Sequence, residues 1–181
     1  MLLPLNTDEN RYYFLENDKS DKIILFIGLN PSHGDNSLSQ TDNTIERIRS
    51  LIGKEKYQGH GFIIINLTSQ RTPSPKDLIK GIDRKNLEVI KDIINHYPLN
   101  KIVLFWGNGV QKHRFMENAI EIKRTIEEHN TEAEWYCVER NNSGLRHPKH
   151  FGRMGSIEEL ELLDKNTVNE YFNDLQAACN E

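Results

Sequence analysis

The residues with side chains suited to chemistry follow four short apolar runs of the sequence. They are amides, carboxylates, cations, a histidine and small residues: Asn30, Ser32, Asp35 and Asp42 after the first run, Asn66 and Arg71 after the second, Gly107 after the third, and Arg146, His147 and Lys149 after the fourth. A carboxylate can orient or activate water. An Asn side chain carries both donors and an acceptor, which suits the edge of a pyrimidine. These residues therefore predict a polar site that could receive a base.

Several of these residues also have a purely structural interpretation. Asn-Pro-Ser at residues 30–32 is a common turn, and His147, which precedes a proline, fits an extended loop. Asp42 or Asn43 is a good N-cap for the helix that follows, a role as well supported as water activation. Asn66 is the sharper case, because it closes a fully apolar run and a buried amide there needs hydrogen-bond partners.

Four apolar runs rich in β-branched and aromatic residues supply the elements that would position these side chains. They are residues 22–28 (KIILFIG), 61–66 (GFIIIN), 101–107 (KIVLFWG) and 134–139 (EWYCVE). The first three are nearly continuous in apolar residues, which is typical of parallel strands covered on both faces. The sequence thus predicts an α/β fold: a three-layer α/β/α sandwich with a central, mainly parallel four-stranded sheet. The carboxyl ends of such strands share one edge, so the polar residues should converge on one cleft.

Apolar residues at helical spacing fill the intervals between these runs. They predict helices over residues 43–51, 86–96 and 114–129. Ser156 and Glu159 form a capping-box pattern, which predicts a further helix burying Leu160 and Leu163. A second C-terminal helix should start near Asn166 and bury Val168, Phe172 and Leu175. Residues 11–15 are either an edge strand or a loop.

The composition is that of one ordinary domain. The chain has 181 residues, 36% hydrophobic and 28% charged, so we expect a single α/β domain over residues 1–181, with C-terminal helices from about residue 156. Two cysteines are too few for a disulfide framework or a four-cysteine iron–sulfur cluster, and the histidines lack the paired spacing of a zinc site. We therefore expect no cofactor and no metal. No apolar run approaches the roughly 20 residues of a membrane helix. The expected location is cytoplasmic, with no membrane partner.

Charge is unevenly distributed along the chain. The formal net charge of −4 argues against broad nonspecific binding to phosphate backbones, which depends on Lys and Arg. However, residues 140–157 contain four basic residues, two histidines and no acid, whereas residues 158–181 contain seven acids and one lysine. The basic stretch therefore predicts a local site for a nucleic acid or nucleotide.

The order of four motifs resembles a known family. GLNPS at residues 28–32, IIINLTSQRTPSP at 63–75, IVLFWGN at 102–108 and RHPKH at 146–150 are similar to the domain of unknown function 1643 family. That family is in turn similar in pattern to the uracil-DNA glycosylase superfamily. The resemblance covers roughly residues 11–151 and implies a uracil-DNA glycosylase-like fold.

The resemblance also implies roles for individual residues. Asn30 stands at the place of the superfamily's water-activating motif, Asn66 at that of its base-recognising Asn, and His147 at that of its His-Pro element. Two departures stand out. No aromatic residue follows the first motif at a stacking position, with Tyr57 and Phe62 as substitutes, and the loop after His-Pro is not Ser-rich.

If the resemblance extends to activity, the chemistry is hydrolysis of an N-glycosidic bond in nucleic acid, as in DNA repair. Asn66 would then bind the base edge, His147 would donate to the oxygen where negative charge collects, and Asn30 would position water with Asp35 or Asp42. Phosphates would be held by Arg146, Lys149 and Arg153. Two alternatives stay open: a hydrolase or transferase for free nucleosides or nucleotides, and a noncatalytic nucleotide-binding or modified-base-binding module. Nothing in the sequence indicates an oligomeric state.

Overall fold

Strands and helices alternate through most of the chain. The computed structural model describes residues 6–7, 9–31, 43–72, 77–112, 115–129, 132–142, 144–151, 154 and 157–180. The elements in these ranges are β1 Phe14–Glu16, β2 Ile23–Gly28, α1 Asn43–Ile52, β3 Gly61–Asn66, α2 Arg84–His96, β4 Leu99–Leu104, α3 Gly109–Lys112, α4 Met116–His129, β5 Glu134–Cys137, β6 Glu161–Leu163 and α5 Lys165–Cys179. The chain therefore has a mixed α/β architecture.

All described strands belong to one sheet, in the order β1-β3-β2-β4-β5-β6. β2 pairs in parallel with β3 and β4, and β4 pairs in parallel with β5. The edge strands β1 and β6 are antiparallel to their neighbours. The expected sheet of four strands is thus corrected to a mixed sheet of six within the described ranges. The additional strands have only three residues each, too few for a periodic pattern to identify them.

Two separate apolar cores cover the two faces of the sheet. On one face, alternate residues of the inner strands pack with α2, α4 and α5. On the other face, Phe26, Phe62 and Phe105 pack with the buried side of α1 and with Phe151 and Leu160 from the chain after β5. All six residues of β2 and of β3 are buried, which explains why these strands are almost continuously apolar.

The helix expected from Ser156 is wrong. Ser156 lies outside the described residues, residues 157–160 have no regular structure, and residues 161–163 form β6. Leu160 and Leu163 are both buried, at a spacing that suits one face of a helix, but they enter opposite cores. The segment instead pairs as a strand with the outer edge of β5. The sequence predicted C-terminal helices from about residue 156. The structure instead has the strand β6 followed by one helix, α5, which begins at Lys165.

The other helices lie close to their predicted positions. α1, α2 and α4 correspond to the helices predicted over residues 43–51, 86–96 and 114–129. α5 buries Val168, Phe172 and Leu175, as the spacing after Asn166 predicted. For residues 11–15 the sequence was compatible with an edge strand or a loop, and the last two of these residues belong to the edge strand β1. Within the described ranges, no helix has the length and apolar content needed to cross a membrane.

The carboxylate of Asp83 joins the end of β3 to the start of α2. It accepts hydrogen bonds from the Ser69 backbone N–H at 2.9 Å and the Ser69 hydroxyl at 2.8 Å. It also caps α2 by accepting from the Asn86 backbone N–H at 3.1 Å. Asn86 in turn donates its side-chain N–H to the Asn66 carbonyl at 2.8 Å. These bonds fix the chain immediately after the carboxyl end of β3.

Candidate functional site

A cavity of about 630 Å³ lies across the carboxyl ends of β2, β3 and β4. Ile64 and Phe105, from the core on the α1 side, contribute to its wall, and so do Leu29 and Trp106 from the opposite core. This is the edge of a parallel sheet where ligands commonly bind, and the volume suits a small molecule.

The cavity brings together some of the predicted site residues and not others. Those that line it are Asn30, Asn66, Gly107 and Lys149. Those placed elsewhere are Arg71, Arg146 and His147. Ser32, Asp35, Asp42 and Arg153 lie outside the described residues. The convergence of strand ends thus holds for the two asparagines of the first and second motifs.

Asn66 is a buried amide that faces the cavity. Its residue is 6% exposed, and in the part of the chain that the structure describes no protein group hydrogen-bonds its side chain. Gly28 lies beside it on β2, and a methyl group on Gly28 would approach Asn66 Oδ1 to 2.6 Å and Phe105 Cζ to 2.7 Å. Buried polar groups normally have hydrogen-bond partners. Solvent in the cavity reaches the Asn66 amide, and a ligand that carries a donor and an acceptor could take the place of that solvent.

Asn30 joins the loops that follow β2 and β3. Its Nδ2 donates to the Thr72 carbonyl at 2.9 Å and to the Pro31 carbonyl at 3.2 Å. Both donor bonds are therefore used within the protein, and Oδ1 is the atom left to accept from a ligand or water. Asn30 combines a structural role, which joins the two loops, with a place on the cavity wall.

The chain after β4 bends sharply against the loop that contains Lys149. Gly107 has φ +67°, a backbone conformation that favours glycine, and its N–H donates to the Pro148 carbonyl at 2.9 Å. A methyl group on Gly107 would lie 3.1 Å from the His150 Cβ. Lys149 lines the cavity but its ammonium pairs with Glu139 at 2.5 Å.

His147 is buried behind the cavity and is 3% exposed. Trp106 Nε1 donates to the Tyr171 hydroxyl at 2.9 Å, and that hydroxyl lies 2.9 Å from His147 Nδ1. Because the hydroxyl has one proton, it donates to Nδ1, and the ring proton on Nε2 then points to Gln111 Oε1 at 3.3 Å. Both ring nitrogens are thus used internally. His147 does not line the cavity, and its predicted role as a donor to a ligand stays a prediction.

Burial lowers the pKa of His147 from its ordinary value of 6.5. The unfolded chain therefore binds a proton more readily, and the stability that depends on neutral His147 is fully present above pH 6.5 and is lost as the pH falls below it. We expect the free energy of unfolding, measured with urea between pH 7.5 and 5.5, to decrease more steeply in the wild type than in His147→Asn.

A matched variant separates this effect from general acid sensitivity. His96 is exposed at the end of α2, so His96→Gln should retain the wild-type pH dependence. Parallel pH profiles for the wild type and His147→Asn would contradict the assignment of a neutral, buried His147.

The two predicted arginines lie away from the cavity. Arg71 donates to the Thr7 carbonyl at 3.2 Å and lines a second cavity of about 670 Å³, which Asn10 and Tyr12 also line. Arg146 is exposed with φ +51° in the turn that begins at Gly144. Neither arginine lines the cavity that Asn66 lines.

Residues 11–150 match the family described as "Protein of unknown function (DUF1643)". This match covers well over half of the chain. The chain belongs to the DUF1643 family. No curated protein and no solved structure matches the chain.

In this DUF1643 protein the matched segment begins and ends at the cavity. Arg11, its first residue, and His150, its last, both line the wall. Among the described residues of the wall, only Met154 falls outside the matched segment. The family match therefore covers nearly the whole of the candidate site.

The cavity of this DUF1643 protein is also lined by residues that were not predicted as site residues, although some of them belong to the quoted motifs. They are the cations Arg11 and Lys112 and the rings of Phe14, Phe105, Trp106 and His150. Phe105 stacks on Phe151, with ring centroids 4.6 Å apart. By contrast, Tyr57 and Phe62, the substitutes considered for stacking, are each 2% exposed in the core. The sequence signal for Phe105 and Trp106 was the apolar run at residues 101–107. Its last residues follow the carboxyl end of β4, where the cavity lies.

No cluster of three or more metal-ligating side chains occurs within the described ranges of this DUF1643 protein. Cys137 is buried, and burial together with Glu161 raises the pKa of its thiol to about 12. A thiol of this kind is protonated at neutral pH and is a poor nucleophile. The described part of the cavity wall is built from amides, aromatic rings and cations.

Proposed function

We propose that this DUF1643 protein binds a uracil-type base in the cavity and hydrolyses its N-glycosidic bond, in the manner of the uracil-DNA glycosylase superfamily. In the reaction water adds to C1′ of the sugar, the C1′–N bond breaks, and the base leaves with the electron pair and is protonated. The observation that carries the proposal is the buried side chain of Asn66, which lines the cavity with no described protein partner.

Hydrogen bonding and stacking both support a base as the ligand. The amide of Asn66 supplies one donor direction and one acceptor, which match adjacent groups on a pyrimidine edge. Because Gly28 has no side chain, Asn66 Oδ1 and the Phe105 ring both pack closely against it, and both residues line the cavity. A flat ring bound there would contact an aromatic wall while its edge contacts the amide.

Hydrolysis needs a group that positions water and a group that donates to the leaving base. Asn30 Oδ1 would accept a hydrogen bond from the attacking water, since its Nδ2 already donates to Thr72 and Pro31. An amide cannot deprotonate water as a carboxylate can, so the expected rate is modest. Asp35 and Asp42 stay the sequence-based candidates for a base. His150, which lines the cavity, replaces His147 as the candidate donor to the leaving base.

A free nucleotide is the second candidate substrate. The observation in its favour is that the wall of the same cavity contains the cations Arg11, Lys112 and Lys149. Cations in this position suit a ligand that is enclosed with its own negative charge. Nucleic acid is the first candidate because the reaction and the motifs resemble those of the glycosylases.

The test is release of free base. The wild type is incubated with single-stranded and duplex oligonucleotides containing uracil or 5-substituted uracils, and with the corresponding free nucleotides. Abasic sites are detected by alkaline cleavage and released base by chromatography. We expect release by the wild type and at least about a tenfold lower rate for Asn30→Ala, the cost of one lost hydrogen bond.

A matched control is Asn173→Ala, on the exposed side of α5, which should retain the wild-type rate. Release from oligonucleotides supports the first candidate substrate, and release from free nucleotides alone supports the second. No base released from any of these substrates would overturn the proposed reaction.

A further inference from the structure

Three buried side chains connect the wall of the cavity to the C-terminal helix. Trp106 lines the cavity and is 1% exposed, and its Nε1 donates to the hydroxyl of Tyr171 in α5 at 2.9 Å. The two rings stack with their centroids 6.4 Å apart. The same hydroxyl lies 2.9 Å from Nδ1 of His147. Tyr171 therefore bonds a residue of the cavity wall and a buried histidine at the same time.

The two hydrogen bonds of the Tyr171 hydroxyl depend on each other. The indole N–H of Trp106 is a donor only, so the hydroxyl oxygen must accept from it. The hydroxyl donates its single proton to Nδ1 of His147, which accepts it only when the ring is neutral. A proton on Nδ1 would place a second donor opposite the same oxygen. The hydroxyl proton would then have no acceptor among the described residues.

The bond from Trp106 is the weaker of the two that would then compete for the oxygen. A hydrogen bond from a charged donor is roughly twice as strong as one between neutral groups. A protonated His147 would therefore keep the hydroxyl, and the indole N–H would lose its partner. Because the Trp106 ring is part of the cavity wall, the wall would lose the hydrogen bond that fixes this ring.

His147 is the member of this cluster that can change its charge near neutral pH. The Cys137 thiol of β5 also interacts with the Tyr171 hydroxyl, and burial raises the pKa of both groups, so both stay protonated. The charged groups next to the thiol are Arg140 and Glu161. Burial lowers the pKa of His147 below 6.5, and its ring is neutral at pH 7.5.

We infer that Tyr171 is a positioning residue for the cavity: its hydroxyl fixes the Trp106 ring on the wall, and it does so only while His147 is neutral. The position of the ring depends on this bond and not on any particular ligand. The consequence for affinity rests on the base-binding part of the proposed function. A base held against this wall should bind less tightly once His147 is protonated.

The direct test follows the indole N–H signal of Trp106 by nuclear magnetic resonance of the full chain. The chain has two tryptophans, so the spectrum of Trp135→Phe identifies this signal. Loss of the hydrogen bond moves the signal upfield. We expect an upfield shift in Tyr171→Phe at pH 7.5. We expect a shift in the same direction in the wild type as the pH falls, in step with the ring signals of His147 and with a midpoint below pH 6.5.

Two further variants show where the shift comes from. In His147→Gln an amide oxygen that does not titrate can accept from the hydroxyl, so the Trp106 signal should be independent of pH. Tyr136→Phe is the matched control. Its hydroxyl donates to Glu134 and the residue does not line the cavity, so this variant should keep the wild-type signal and its pH dependence.

Calorimetric titration with uridine measures the consequence for binding. We expect about 2- to 10-fold weaker binding in Tyr171→Phe, the usual effect of one lost hydrogen bond. The wild type should lose affinity by a similar factor as His147 titrates, and His147→Gln should not. Tyr136→Phe should bind uridine like the wild type.

A Trp106 signal that stays constant while the His147 ring titrates would overturn the inference, and so would an unchanged signal in Tyr171→Phe. If Tyr171→Phe fails to fold, the wild-type titration decides. If circular dichroism shows that the wild type unfolds before His147 titrates, Tyr171→Phe at pH 7.5 decides. Absence of uridine binding at every pH would contradict the proposed function, whereas the Trp106 signal would still measure the positioning role.

Discussion

Replacing Asn66 with leucine should weaken base binding by about 10- to 100-fold without lowering the stability of the fold. The side chain of Asn66 is buried and has no described protein partner, so leucine of similar shape removes an amide that the protein itself does not satisfy. The free energy of unfolding should stay unchanged or rise by up to about 1 kcal/mol. Loss of two hydrogen bonds to a base should weaken binding by about 10- to 100-fold. Urea unfolding and calorimetric titration with uridine measure the two effects.

Asn118 provides the matched control for this substitution. It is 1% exposed, and its Nδ2 donates to the Leu67 carbonyl at 2.8 Å. Asn118→Leu should therefore destabilise the fold by about 1–3 kcal/mol, since it leaves that carbonyl unsatisfied. A comparable loss of stability in Asn66→Leu would identify Asn66 as a structural residue and contradict its role in binding.

Gly28→Ala should damage both the fold and the site. The new methyl group would lie 2.6 Å from Asn66 Oδ1 and 2.7 Å from Phe105 Cζ, closer than ordinary contacts allow. Phe105 cannot retreat freely, because its ring stacks on Phe151. Overpacking of this kind costs about 1–3 kcal/mol. Both groups that would hold the base must move, so affinity for uridine should also fall by at least about tenfold.

The comparison for Gly28 is Gly53→Ala, at an exposed position after α1. There the nearest atom to the added methyl group would be the Arg49 carbonyl oxygen at 3.3 Å, outside the cavity. We expect this variant to bind uridine like the wild type. Unaltered binding by Gly28→Ala would show that the ligand contacts neither Asn66 nor Phe105.

The inner strands and most helices could be predicted because each has a long, regular pattern of apolar residues that are buried in the core. β2 and β3 are buried on both faces, and α2 presents a regular apolar side to the core. Local patterns failed at the end of the sheet. The spacing of Leu160 and Leu163 fits a helix as well as it fits two cores on opposite faces, and only the open edge of β5 distinguishes them.

The positions of site residues could be predicted where those residues directly follow the ends of parallel strands. Asn30 and Asn66 follow adjacent parallel strands, so their convergence follows from topology. His147 could not be placed in this way, because its position depends on Tyr171, which is distant in sequence. Arg11 was missed for a similar reason: an arginine before a short edge strand is ordinary until the β3 loop pairs with it and buries it.

The edge strand β1 forms part of the cavity wall and lies where the sheet is most easily opened. It has three residues, it pairs with β3 on one side, and Phe14 in this strand lines the cavity together with the preceding Arg11. Short edge elements with few neighbours are where local unfolding costs least. Separation of β1 from β3 would therefore dismantle one wall of the cavity. A ligand in contact with this wall would bind only the closed state, so its occupancy would suppress this fraying by mass action.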